Sequence, residues 1–227
     1  MVWGGIQKTS TLDFPKVLSC VLFTVGCDLN CFYCHNRQLI GTSSQIVEEK
    51  EVFAFLDKRR NLLDGVVISG GEPTLQSDLI NFLQKVRSMG FKIKIDTNGQ
   101  HPDVVENILS KNLADYFAVD IKALPKDYSL VCGASGFENV KSTIEILSKN
   151  GATYEVRTTL YPAMKIEQLS ELFSTFPKQQ LWRLNFFKMP EDFQQKDLTL
   201  LNEPALTKND ICKNLDTLKA IQPNLVF

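Results

Sequence analysis

Six short β-rich runs alternate with amphipathic stretches along this chain, and that alternation restricts the fold more than any other feature. The runs are VLSCVLFTV (17–25), GVVIS (65–69), FKIKID (91–96), DYFAVDI (115–121), TYEVRTTL (153–160) and LWRLNFF (181–187). The amphipathic stretches cover 48–60, 77–89, 102–111, 136–149, 166–173 and 208–221. In the second of these, Leu79, Phe82, Leu83 and Val86 form one apolar face, and Gly90 ends it, as Gly151 ends the fourth. Strands that alternate with helices build right-handed βαβ units on a parallel sheet. A closed eight-unit barrel takes about 250 residues, and this chain has 227. The sequence therefore predicts an α/β fold, an incomplete (β/α)6 barrel in one domain over residues 1–227, with a doubly wound open sheet as the alternative. The first dozen residues read as a loop and the final NLVF as a short apolar tail.

Charge narrows the function classes. Lys plus Arg is 25 and Asp plus Glu is 26, for a formal charge of −1, without the basic excess of proteins that live on nucleic acid or anionic membranes. The apolar run from Val17 to Val25 is too short to span a bilayer, and MVWGGIQKTS lacks the pattern of a secretory signal. A cytoplasmic protein without nucleic-acid or membrane partners is expected. Six cysteines in such a chain do not imply a disulfide framework.

Those cysteines are unevenly placed. Cys27, Cys31 and Cys34 follow the first predicted strand within eight residues, whereas Cys20, Cys132 and Cys212 are isolated. Structural zinc takes four ligands, and here the local set stops at three, with His35 adjacent. Zinc with a distant fourth ligand, or three buried thiols without a metal, remain readings of the spacing. Thiolates are also the ligands of iron–sulfur clusters, and three of them on a four-iron cubane leave one iron open for chemistry. In parallel α/β folds the ligand site lies at the carboxyl ends of the strands. The loops there are GCDLNCFYCHN, GGEPTL, DTNG, DIKALP, TLYPAM and KMPED.

Cys27-x3-Cys31-x2-Cys34, with Tyr33 before the last cysteine, resembles the signature of the radical S-adenosylmethionine (SAM) superfamily. Ser69-Gly70-Gly71-Glu72-Pro73, Asp96-Thr97-Asn98-Gly99 and Asp120-Ile121-Lys122 follow in that superfamily's order and narrow the match to glycyl-radical-enzyme activases. GIQKTSTLDFP, DGVVISGGEPTLQ and VRTT are similar to the activating proteins of anaerobic ribonucleoside-triphosphate reductase. The likeness spans nearly the whole chain and weakens after residue 188.

The resemblance implies one 4Fe–4S cluster on Cys27, Cys31 and Cys34, whose open iron chelates the amino and carboxylate groups of SAM. One electron from the cluster breaks the C5′–S bond, and the 5′-deoxyadenosyl radical takes a hydrogen from a glycine of a partner enzyme. Tyr33, His35, Asn36, Gly70, Gly71, Glu72, Asp96, Asp120, Lys122, Arg157 and Lys188 are the implied cofactor-binding residues. Lys188 stands where the pyruvate formate-lyase activase has a SAM-contacting histidine. Asp96, Thr97 and Asp120 are candidates for a monovalent cation, with a salt bridge between Lys122 and an aspartate as the plain alternative; for Arg157 the alternative is an ion pair inside the barrel. The implied partners are a glycyl radical enzyme and an external one-electron donor such as flavodoxin or ferredoxin. The partner is expected to be the anaerobic reductase, or else pyruvate formate-lyase or another glycyl radical enzyme. The remaining alternatives are a small-molecule radical SAM enzyme, such as a 7-carboxy-7-deazaguanine synthase, and a non-catalytic cluster or zinc protein.

Overall fold

The computed structural model describes residues 1–41 and 46–227. One sheet holds β1 Trp3–Ser10, β2 Ser19–Thr24, β3 Gly65–Gly70, β4 Lys92–Thr97, β5 Tyr116–Asp120, β6 Tyr154–Leu160, β7 Trp182–Phe186 and β8 Leu225–Val226, in that spatial order. Strands β2 to β8 are mutually parallel and β1 is antiparallel to β2. The helices are α1 Glu49–Lys58, α2 Leu79–Ser88, α3 Pro102–Ser110, α4 Tyr128–Cys132, α5 Phe137–Lys149, α6 Ile166–Ser174, α7 Leu198–Leu201, α8 Lys208–Lys213 and α9 Leu215–Ile221. The six predicted strands are β2 to β7, and the sheet stays open. None of the described helices is long and apolar enough to cross a membrane.

Three expectations need correction. The first dozen residues are not a loop: Trp3–Ser10 is an edge strand whose Ile6 pairs with Leu22. Its anchor is tertiary, because Trp3 is fully buried against the Phe82 ring of α2, with centroids 4.6 Å apart. The stretch 208–221 is two helices divided at Asn214, and part of NLVF pairs with β7 as β8. Short helices α4 and α7 were not predicted.

Side chains alternate across the strands. Leu22, Ile68, Ile95, Phe117, Val156 and Trp182 pack outward into one core with Val52, Leu83, Ile108, Val140, Leu172 and other helix residues. Buried parallel strands are normally apolar on both faces, but here the concave face changes character along the sheet. On β2 and β3 it carries Val21 and Val67, packed with Phe14 and Val17. On β4 to β7 it carries Lys94, Asp96, Asp120, Glu155, Arg157 and Arg183, joined in ion pairs. The segment between β1 and β2 thus lies under the sheet's concavity, where Phe14 and Val17 are buried and Lys94 Nζ donates to the Asp13 carbonyl.

Candidate functional site

A cavity of ≈ 350 Å³ opens at the carboxyl ends of the parallel strands. Its lining includes Cys27, Cys31, Cys34, Tyr33, His35, Asn36, Gly70, Gly71, Glu72, Asp96, Thr97, Asp120, Lys122 and Arg157. Lys188 does not join them: it lies beyond the end of β7, exposed, and Asn185 of that strand faces the cavity instead. Asp13, Asn98 and Thr159, from the strips GIQKTSTLDFP, DTNG and VRTT, also line it. Asn185 was legible by counting alternate positions from the outward Trp182 and Leu184.

The cysteine loop is held by its neighbours. Gly26 N–H donates to Leu39 O at 2.7 Å, and Glu72 N–H donates to Gly26 O at 2.7 Å. A Cβ on Gly71 would lie 2.1 Å from Gly26 O, and one on Gly70 (φ +116°) would lie 2.3 Å from Thr24 N. These glycines therefore let two loops of the chain itself meet. Arg37 braces the other side, donating to Asn30 Oδ1 and Cys31 O and pairing with Asp197. Asn98 Nδ2 donates to Asp28 Oδ1 at 2.7 Å, tying the loop after β4 to the residue beside Cys27.

Glu72 is a brace as well as a wall of the cavity. Its carboxylate accepts from Thr74 N and Thr74 Oγ1 at 3.0 and 2.6 Å, from Thr97 Oγ1 at 2.8 Å and from Asn98 N at 2.7 Å. Burial raises its pKa above the ordinary carboxylate value in spite of those bonds.

The facing wall is an ion-pair ladder. Arg157 of β6 sits 3.2 Å from Asp96 Oδ2 and 2.8 Å from Asp120 Oδ1. Lys94 lies 2.9 Å from Asp96 Oδ1 and Lys122 lies 2.9 Å from Asp120 Oδ2. Burial is the largest influence and would raise both aspartates; Arg157 together with Lys94 at Asp96, or with Lys122 at Asp120, overrides it, and both sit below the ordinary aspartate value. Burial likewise works against the Lys122 and Arg157 charges, and the acidic groups around them, Asp120 foremost, together more than offset it. Lys122 is therefore in its alternative salt bridge and Arg157 in its interior ion pair, while both line the cavity. All four oxygens of Asp96 and Asp120 already face a cation of the protein itself.

Burial pushes the Cys27 thiol up to about 12 and raises Cys34. Cys31 differs: its hydrogen bond with Cys132 holds it below the ordinary thiol value. Among the described residues, no three His, Cys, Asp or Glu side chains are gathered tightly enough to hold a single metal ion. A cubane takes its thiolates at separate corners, so three soft donors spread around one cavity fit it better than zinc. Beside them the buried Tyr33 hydroxyl, stacked on Tyr161 at 5.7 Å, has no hydrogen-bond partner. An orphaned donor and a wall bearing charges of both signs fit a zwitterionic ligand such as SAM.

Comparison with known proteins agrees. The radical SAM superfamily model matches residues 21–176. The chain belongs to the radical SAM superfamily. It is 35% identical over 208 residues to a Methanocaldococcus jannaschii protein named for glycyl-radical enzyme activation, covering 88% of this chain and 85% of the relative. It is 30% identical to the pyruvate formate-lyase-activating enzyme of Clostridium pasteurianum, covering 72% of this chain and 71% of that enzyme. These likenesses place this radical SAM enzyme in the family of glycyl-radical enzyme activating enzymes. Among solved structures, Streptococcus suis SuiB bound to S-adenosylmethionine superposes with a TM-score of 0.70 at 20% identity, over 91% of this chain and 49% of SuiB. A structure of anSMEcpe with bound AdoMet gives 0.64 at 17% identity, over 89% and 61%. At such identities the likeness is one of fold.

Proposed function

We propose that this radical SAM protein activates the anaerobic ribonucleoside-triphosphate reductase by forming its glycyl radical, using one 4Fe–4S cluster held by Cys27, Cys31 and Cys34. The observation that carries this reading is the convergence of three thiols and a ladder of buried charges on one cavity. When bound, the cluster and SAM supply the one-electron chemistry that ends in hydrogen abstraction from a glycine of the partner.

The residues of this chain position the reactants. Lys122 and Arg157 present cations to the carboxylate of SAM, and Asp120 fixes both through contacts of 2.9 and 2.8 Å. Tyr33 offers its unpaired hydroxyl from the cluster side. Gly70 ends β3 and Gly71 follows it, both without side chains, leaving their backbone beside the ligand. Such positioning replaces an encounter between free reactants with a held geometry. The electron comes from outside the chain, from a flavodoxin or ferredoxin.

The choice of partner is supported by the strip GIQKTSTLDFP, whose Asp13 reaches the cavity. Pyruvate formate-lyase is the second reading, favoured by the Clostridium pasteurianum relative. Anaerobically loaded protein, reduced with SAM beside each candidate partner, should give a glycyl doublet in electron paramagnetic resonance with the reductase. A doublet with pyruvate formate-lyase alone would move the assignment to the second reading. Release of 5′-deoxyadenosine with neither partner activated would overturn both.

A further inference from the structure

Two kinds of polar side chain face the cavity from the strands. On β4, β5 and the inner part of β6 they are engaged within the protein: Asp96 and Asp120 by cations, Thr97 by Glu72, and Arg157 by both aspartates. One step further toward the mouth the pattern changes. Thr159 follows Arg157 by two residues on β6, and Asn185 follows Arg183 by two on β7, so each shares the concave face with its predecessor. The two are opposite one another in the parallel register, and both line the cavity. Their neighbours are occupied, Thr158 Oγ1 by Trp182 Nε1 and Arg183 by Glu155; among the described residues neither Thr159 nor Asn185 has such a side-chain partner.

Position also separates this pair from the ladder. Asn185 is exposed, whereas the side chains of Asp96 and Arg157 are only 12% and 17% exposed. Strand β7 pairs with β6 from Trp182 to Phe186 but with β8 only at Trp182 and Arg183. Beside Asn185, therefore, no further strand walls the cavity among the described residues. A carboxamide carries a donor and an acceptor side by side, the same complement that a peptide unit presents. Extended segments are bound through such main-chain hydrogen bonds. A chain laid over the rim from the β7 side would meet Asn185 first and Thr159 next.

We propose that Asn185, with Thr159 beside it, binds the main chain of the partner's glycine-bearing segment and so sets where that glycine comes to rest over the cavity. The inference rests on the partner being a glycyl radical enzyme. The ionised groups of SAM are matched by the charges deeper in the wall, and the neutral pair above them takes the uncharged backbone of the protein substrate.

The test compares wild type, Asn185→Ala, Asn185→Asp and Asn185→Gln. Calorimetry on anaerobically loaded protein gives the Kd for SAM and for the reductase, and glycyl-radical formation at varied reductase concentration gives KM and kcat. Asn185→Ala should raise the Kd and KM for the reductase about tenfold, the worth of one or two net hydrogen bonds, with the SAM Kd changed less than twofold. Asn185→Asp keeps the shape but cannot donate and should fall as far as Asn185→Ala, whereas Asn185→Gln retains the amide and should recover part of the loss. The urea midpoint should stay at the wild-type value, because the side chain bonds nothing in the fold. The proposal is overturned if Asn185→Ala binds the reductase as wild type does, or if its SAM affinity falls as far as its reductase affinity, which would place Asn185 in the SAM site. Wild type that binds and activates neither the reductase nor pyruvate formate-lyase would instead sink the reading on which the inference stands, and the inference with it.

Discussion

Replacing Arg157 with methionine removes the one cation shared by Asp96 and Asp120. Its side chain is 17% exposed, and the guanidinium lies 3.2 and 2.8 Å from the two carboxylates. Breaking a buried ion pair from one side costs about 3–5 kcal/mol, because the abandoned charge stays buried. Lys94 and Lys122 remain at 2.9 Å on the outer oxygens, so the expected loss is about 3 kcal/mol, the low end of that range. It should appear as a lower urea midpoint with an unchanged slope. The pH dependence supplies the sign. Both aspartates sit below their ordinary values in the fold, so their stabilisation is present above the unfolded carboxylate range and lost as pH falls through the folded values. The difference between wild type and Arg157→Met should therefore be full near neutral pH and shrink as the solution is acidified below about pH 4. Arg157→Lys should recover only part of it, since a point charge does not reproduce the bridging fork. A loss under about 1 kcal/mol, within the range of exposed pairs, or one that does not vary with pH, would refute the ladder as a stabilising element.

Glu72→Gln puts an amide where two backbone N–H groups and two hydroxyls all donate; a loss of about 1–3 kcal/mol in thermal or urea unfolding is expected from the mispaired donors. Gly71→Ala forces a methyl to within 2.1 Å of Gly26 O, so about 1–3 kcal/mol should be lost, together with iron uptake measured after reconstitution, because the loop bearing Cys27 must shift. Exchanging sodium, potassium and tetramethylammonium salts at constant ionic strength should leave 5′-deoxyadenosine release unchanged. A saturable requirement for one of the metal ions would show that the paired aspartates open to receive it.

Much of the architecture was legible because the strongest signals are local. The strands from Ser19, Gly65, Lys92, Tyr116, Tyr154 and Trp182 are short apolar runs followed by glycine, asparagine or aspartate loops, and the cysteine triplet marks the first of those loops. Trp3–Ser10 escaped because two adjacent glycines and a polar half disguise an edge strand whose formation depends on Trp3 docking beneath α2. Lys188 lies off the site because the chain has left the sheet by then; period-two counting along β7 leads to Asn185, before the half-buried Phe187 and the exposed Lys188. The role of Glu72 as a brace and the meeting of Cys31 with Cys132 are tertiary facts. Thr97 and Asn98 lie 25 and 26 residues from Glu72 and Cys132 lies about a hundred from Cys31, and no residue pattern announces either contact.

Phe14 and Val17 give the chamber a stoppered base, with Lys94 pinned to the stopper. With the activity proposed above, SAM would enter past the strand-end loops and the spent nucleoside would leave along the same route. A macromolecule seated over that rim would detain the small molecules inside, which orders events in time: the sulfonium compound loads first, the large substrate covers it, and the vessel empties only after the cover lifts.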